Sequence, residues 1–203
     1  MLDVGDNIGG GAPGNSTALL DEALAQGVTG LFCPIVDRDA YAVAVGAGLG
    51  AEVELTVGAA TPTSLGGPVR LRGHITALHD GRFQDDSPTH GGFRDFDTGG
   101  SALLSTDRDQ FVLITRGRIQ STTLALPRSV GVEPSDRSVI VAKGVVAPRA
   151  AYHHLTANFI LADTPGITCA DPRRLTYRNR PHPLHPFDLE AGRRDAKRWT
   201  RLP

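Results

Sequence analysis

Cysteine is scarce in this 203-residue chain, aromatics are thin and net charge is nearly absent, and each shortage removes a class of explanation. Cys33 and Cys169 stand far apart with no C-x-x-C and no Cys/His cluster beside them, so neither a disulfide framework nor a zinc ribbon is encoded. Both read as small buried hydrophobes. With 5 % aromatic residues, a formal charge of -1 and a pI near 6.6, the basic footprint of a nucleic-acid binder is missing. No apolar run reaches the roughly 18 to 20 residues of a membrane span, and the N-terminus lacks a charged region followed by an apolar one. The expectation is a cytoplasmic protein with no nucleic-acid or membrane partner.

What is plentiful is glycine, and its placement divides the chain. The first third opens on "DVGDNIGGGAPGNST", backbone shaped for close approach rather than for core. Asn15, Ser16 and Thr17 offer N-cap side chains for a helix over "ALLDEALAQG", with Gly27 as its stop. "VTGLFCPIV" runs apolar without alternation, as a strand buried on both faces does, and "DRDAYAVAVGAGLG" predicts a second helix. The middle third alternates apolar and polar residues in "AEVELTVG" and "VRLRGHITALHDG", with Gly66, Gly67 and Pro68 as the turn. "RFQDDSPTHGGFRDFDTGG" is too long and polar for a plain hairpin and reads as a functional loop, after which "SALLST" and "QFVLITRG" resume strand pattern. "SVIVAKG", a helix over "PRAAYHHLTAN" begun by Pro148, and "FILADTPG" restore the layered pattern. The fold expected is α/β, a mixed central sheet with helices packed on it and an antiparallel excursion around residues 51 to 120. It occupies one domain, 1–188, with a basic tail over 189–203.

The glycines admit two mechanical readings. Gly9, Gly11 and Gly14 satisfy G-x-G-x-x-G, with Asp37 near the end of the next strand where a ribose-binding acid belongs. Against a dinucleotide site stand the near absence of a preceding strand, the stiffness of Pro13 and the charge of Asp6. No Lys-Ser/Thr follows, so a Walker A loop is excluded, and with it a GTPase reading of "ADTPGIT". The other reading is a cradle: backbone N–H groups at a helix N-terminus form an anion site, while Asp3, Asp6 and Asn7 offer oxygens to a cation or a substrate amide.

"DVGDNIGGGAPGNSTALL" resembles the signature D-x-x-D-N-P-G-G-G-x-P-G-D-x-T-x-L-L that opens the C-terminal domain of MlrC-like proteins, the microcystinase C family of zinc metallopeptidases. The similarity continues through "HGGFRDFDTGGSALL", "VIVAKGVVAPRAAY", "ILADTPGITCADPRRLTYR" and "RPHPLHPFD", over roughly residues 3 to 188. It implies that Asp6, Asn7, Gly9, Gly10, Gly11, Pro13, Gly14 and Thr17 form the family's glycine loop, with Ile8 in place of the usual Pro and Asn15 in place of Asp. It also implies an N-terminal domain, absent from this sequence, that ligates zinc through Asp-Leu-His type motifs. The chain then reads as a fragment, a misplaced start or a separately encoded half, binding no zinc alone and inactive alone. In the implied mechanism zinc activates water to attack an amide or peptide bond while the glycine loop positions substrate and stabilises the oxyanion.

The seven histidines lack metal spacing. His153 and His154 are neighbours on a predicted helix and point in different directions, His182 and His185 lie in a proline-rich turn, and His74 and His79 fall on opposite faces if their strand is regular. His90 beside two glycines, and Lys143 at the end of a strand, are added to Asp6, Asn7, Gly9, Gly10, Gly11 and Gly14 as substrate-binding residues. The rival expectation is a non-catalytic ligand-binding or assembly module.

Overall fold

The structure is a computed structural model that describes residues 1–181 except 59, 61, 63, 64, 88 and 89. The chain forms two compact units, Met1–Ala170 and Asp171–Pro203. The first contains, in order, β1 (Leu2–Asp3), α1 (Ala18–Ala25), β2 (Leu31–Val36), α2 (Arg38–Ala47), β3 (Glu52–Val57), β4 (Val69–His79), β5 (Arg82–Gln84), β6 (Asp95–Asp97), β7 (Ser101–Ser105), β8 (Gln110–Thr115), α3 (Ala125–Arg128), β9 (Val139–Ile140), α4 (Pro148–Tyr152) and β10 (Leu161–Ala162). In the described part of the second unit Asp171 caps a short 3-10 turn, Pro172–Arg174, and hydrogen bonds from the Arg173 side chain and backbone hold its carboxyl down at about 2.

Six strands make the main sheet in the order β3-β4-β7-β8-β2-β9. β2 is parallel to both its neighbours, β8 and β9, whereas β3 through β8 pair antiparallel, the excursion that the alternating pattern predicts. The unbroken apolar run of β2 follows from its place between two strands with side chains packed on both faces. Leu31, Cys33 and Ile35 face one core with Leu20 of α1 and Ala40 and Ala44 of α2, while Phe32 faces the other with Leu103, Leu113 and Leu126. Burying one such leucine or isoleucine stabilises the fold by about 1.5–3 kcal/mol. β1 joins this system at its far side, pairing in parallel with β10 and bridging from Leu2 to Ala142 just beyond β9.

The polar stretch after β4 pairs at its two ends, β5 against β6, with the Phe83 and Phe96 rings stacked at centroids 5.3 Å apart. Four expectations are corrected. The helix begun by Pro148 stops at Tyr152, because the chain must turn back towards β1, and Thr156 accepts the Asn158 N–H at 2.9 Å to shape that turn. His153 and His154 therefore lie beyond the helix, and their rings pack on each other at 3.6 Å instead of diverging. A bulge between Ile75 and Ala77 pairs His74 with Ser105 and His79 with Ser101, which places both histidines on one sheet face. Cys33 is buried as expected, but Cys169 is only partly so. His182, His185 and the 189–203 tail lie outside the described residues. No helix among the described residues is long and apolar enough to cross a membrane.

The tightest backbone approach is between the segment after β10 and the segment after β1. A Cβ on Gly166 would strike the Gly5 carbonyl oxygen, and one on Gly5 would strike that of Thr164. Two stretches some 160 residues apart in sequence thus cross with no room for a side chain, which is why glycine stands on both. Gly166→Ala is expected to destabilise the chain by roughly 3 kcal/mol or more. Gly46→Ala, on the open face of α2, is expected to stabilise it by about 0.5–1 kcal/mol; urea unfolding of both variants checks the contrast.

Candidate functional site

The glycine loop leaves β1 and is pinned from below by a buried ion cluster. Lys143 Nζ lies 2.9 Å from Asp3 Oδ2 and 3.1 Å from Asp6 Oδ2, and donates to the Ser16 carbonyl at 2.6 Å. The three side chains are 1 %, 0 % and 3 % exposed, so solvent screens none of this. Burial by itself would lower the Lys143 ammonium, but the carboxylate of Asp3, with Cys33 and Asp6 adding to it, outweighs that and holds it above the ordinary lysine range.

One ammonium cannot satisfy two carboxylates, and backbone and hydroxyl donors supply the rest. Asp6 accepts the N–H groups of Gly14 and Ser16, each at 2.8 Å, which folds the glycine loop back on its own start. Asp3 accepts the Asp6 N–H at 3.3 Å and the hydroxyl of Thr164. Thr168 takes the Asn7 N–H at 3.0 Å and donates to the carbonyls of Val4 and Gly5. Asp3, Ser16, Thr164 and Thr168 carry structural work that sequence pattern did not assign to them, beyond offering Asp3 as a possible ligand and Ser16 as a cap. The two threonines in "DTPGIT" were the available signal.

Of the residues read as offering oxygens to a cation, Asp3 and Asp6 therefore hold the protein's own ammonium, and Asn7 does not contact it. Asp6 and Lys143 are turned inward, and the loop they brace presents Gly9, Gly10 and Gly11 to solvent. Within it a 3-10 turn, Ile8–Gly10, ends on Gly11 at φ 99°, and Gly14 at φ 82° packs where a Cβ would meet Ile8 and Val36. The N–H groups of Asn7, Ile8, Gly10, Gly11, Ala12 and Gly14 all have acceptors inside the protein.

The expected anion site at the N-terminus of α1 is covered. Thr17 N–H and the Ser16 hydroxyl both donate to the Leu65 carbonyl, the Thr17 hydroxyl donates to that of Gly67 at 2.6 Å, and a Cβ on Gly66 would strike the Ala18 nitrogen. Gly66 and Gly67 do lie in the turn between β3 and β4, and that turn also covers the helix start. Asp37 is likewise engaged: it caps α2 through the N–H groups of Asp39 and Ala40 and accepts that of Gly58 at 2.7 Å. Among the described residues, the helix start and the acid that a dinucleotide would use are thus both engaged within the protein.

What the fold does bring together is the outer side of the glycine loop and the loop that follows His90. Asn7 and Gly9 share a pocket of about 350 Å³ with Gly91, Phe93 and Gln120, closed by Val145, Val146 and Ala147. His90 opens the 3-10 turn His90–Gly92 that leads into this wall, with Gly91 at φ 83° beneath the Phe93 ring. Phe93 and Val146 are 60 % and 67 % exposed, and none of the described residues lining the pocket is charged. Sequence reading missed Phe93, Gln120 and Val146. The pocket can hold an uncharged chain through amide hydrogen bonds and apolar contact.

Zinc does not fit the described residues: no group of three or more His, Cys, Asp and Glu side chains converges among them, and Asp3 and Asp6 are already engaged by Lys143 and the loop's own donors.

Residues 1–179 match the family model described as MlrC C-terminus. Microcystinase C of Sphingomonas sp is 27 % identical over 195 residues, which cover 93 % of this chain and 35 % of that protein. The crystal structure of a Mesorhizobium sp. BNC1 protein described as a metallopeptidase superposes with a TM-score of 0.77 at 27 % identity, over 93 % of this chain and 38 % of that one. The chain thus spans little more than a third of the length of either.

Removing the ammonium leaves two buried carboxylates without their counter-charge, so Lys143→Met is expected to destabilise by about 3–5 kcal/mol in urea unfolding. In the native protein the share of stability due to Lys143 is complete below the ordinary lysine pKa and is lost only as pH rises through its raised folded value. Burial pushes the Cys33 thiol up to about 12, so its share is also complete below the ordinary thiol range and fades as pH climbs towards that value. Stability measured against pH is therefore expected to fall on the alkaline side of about 9, and Cys33→Ala to delay the onset.

Proposed function

This chain belongs to the MlrC C-terminus family, and from that premise we propose that it is the substrate-positioning domain of a metal-dependent hydrolase of amide or peptide bonds. The catalytic zinc is held by a separate N-terminal domain, the partner this domain works with, and the chain is inactive alone. The observation that carries the reading is the pocket where Asn7 and Gly9 face Gly91 and Phe93: its described lining offers amides and apolar surface, and no set of metal ligands converges among the described residues.

In this role the Asn7 and Gln120 side chains hydrogen-bond a peptide group of the substrate, Gly9 allows main chain to approach it without a Cβ in the way, and Phe93 with Val146 covers an adjoining side chain. Lys143 and Asp6 act on substrate only through the loop they hold, and are positioning residues. A zinc held by the N-terminal domain would supply activation of the water, and the residues of this chain would bind and orient the substrate.

The experiment has two parts. Zinc retained after loading and dialysis, read by mass spectrometry, is expected to be substoichiometric, and capped peptides are expected to survive incubation with the chain. In a chimera with the remaining part of the Mesorhizobium protein, Phe93→Ala and Gln120→Ala are expected to lower kcat/KM for a capped peptide about tenfold with urea stability unchanged. Stoichiometric zinc with turnover by the chain alone would overturn the division of labour. Variants as active as the parent would overturn the pocket, and peptide binding to the chain without any turnover in the chimera would favour the non-catalytic binding module.

A further inference from the structure

Gly9 lies between two side-chain amides. A Cβ built on it would stand 3.3 Å from Asn7 Oδ1 and 3.9 Å from both Cδ and Nε2 of Gln120, so the space over Gly9 is bordered by both groups. The main chain at each end is already engaged: the Asn7 N–H donates to Thr168 at 3.0 Å, and the Gln120 carbonyl accepts the Thr122 N–H at 2.8 Å. The two side-chain amides are partly buried and have no hydrogen-bond partner among the described residues.

The Asn7 side chain is also held in place. A Cβ on Gly10 would lie 3.1 Å from its Nδ2, and one on Gly144 would lie 3.8 Å from its Oδ1. Its oxygen is thereby kept on the side of Gly9. Each amide carries an acceptor and two donors, and leaving them half-solvated and unpaired is unfavourable. One secondary amide set over Gly9 answers both, its N–H donating to Asn7 Oδ1 and its carbonyl accepting from Gln120 Nε2. An ester turns an oxygen towards the Asn7 oxygen instead, and an N-alkylated amide turns a methyl towards it.

We infer that the site over Gly9 selects an amide that still carries its N–H, with Asn7 and Gln120 as the residues that make the choice. This rests on the hydrolase reading and narrows its substrate class to secondary amides, against esters and N-alkylated amides. Phe93 and Val146 cover the adjoining acyl chain.

The test is an NMR titration of the full chain with three probes that share one acyl group: N-methyl-4-methylpentanamide, methyl 4-methylpentanoate and N,N-dimethyl-4-methylpentanamide. The secondary amide is expected to give saturable shifts at the side-chain NH2 groups of Asn7 and Gln120. The ester and the dimethylamide are each expected to bind about tenfold more weakly. The ester is the sharper comparison, because it matches the secondary amide in size and lacks only the donor. Asn7→Leu is expected to make amide and ester bind alike. Because Asn7 also packs within its loop, Gly9→Ala serves as a second variant: Gly9 is not in the left-handed region, and the atoms nearest its Cβ are side-chain ends. It is expected to keep its urea stability and to weaken the secondary amide about tenfold. No saturable shift at the two side chains, equal binding of amide and ester, or a Gly9→Ala variant that binds the amide as its parent does would each overturn the selection. The hydrolase reading is decided separately, by zinc retention and by turnover in the chimera. A chimera that cleaves capped peptides while amide and ester bind alike would keep that reading and overturn this one.

Discussion

Two carboxylates and one ammonium enclosed together leave one negative charge to be answered, and much of the structure around Asp3, Asp6 and Lys143 is the set of donors that answers it. Coulomb attraction in a poorly screened interior is strong, but desolvation of three charges is of similar size, so the cluster is favourable only where every remaining lone pair finds a partner. Gly14 and Ser16 turn their N–H groups towards Asp6, Thr164 turns its hydroxyl towards Asp3, and the chain after β10 crosses the chain after β1 at two glycines to bring that hydroxyl into place. The two ends of the first unit are thereby joined both by this cluster and by backbone pairing of β1 with β10 and with Ala142.

The consequence for function is a division between the two faces of one loop. On the inner face the carboxylates of Asp3 and Asp6 are buried against Lys143 and accept the loop's own N–H groups. The outer face is exposed glycine backed by Asn7, and it meets the neutral wall of Phe93, Gln120 and Val146. A loop rich in glycine would ordinarily sample many conformations. Here the buried cluster fixes its inner edge, so the outer edge is presented in a defined shape, which is what a surface that positions substrate requires.

Element type was largely legible because period and punctuation were. β2 announces itself by an unbroken apolar run, β3 and β4 by alternation, and α1 and α2 by helical spacing with Gly27 and Gly48 at their ends. Length was read less well: the helix after Pro148 is shorter than its pattern, and the pairing of β5 and β6 was hidden inside a polar stretch where Phe83 and Phe96 meet only across the loop. In the site, the motif located the glycine loop but not the direction its residues face. An aspartate in such a loop reads the same whether it points to a ligand or to a lysine 137 residues downstream.

The sequence by itself determined the fold class, the family through its ordered motifs, and the positions where the backbone had to be free of side chains. These are properties of local spacing and of residue type, and they survive without any knowledge of contacts. Only the tertiary structure decided that Lys143 is the counter-charge shared by Asp3 and Asp6, that the turn at Gly66 covers the start of α1, and that Asn7 shares a pocket with Phe93. The physical reason is that burial and partnership are set by which distant segments meet, and the same charge is a binding group at a surface and a brace in an interior.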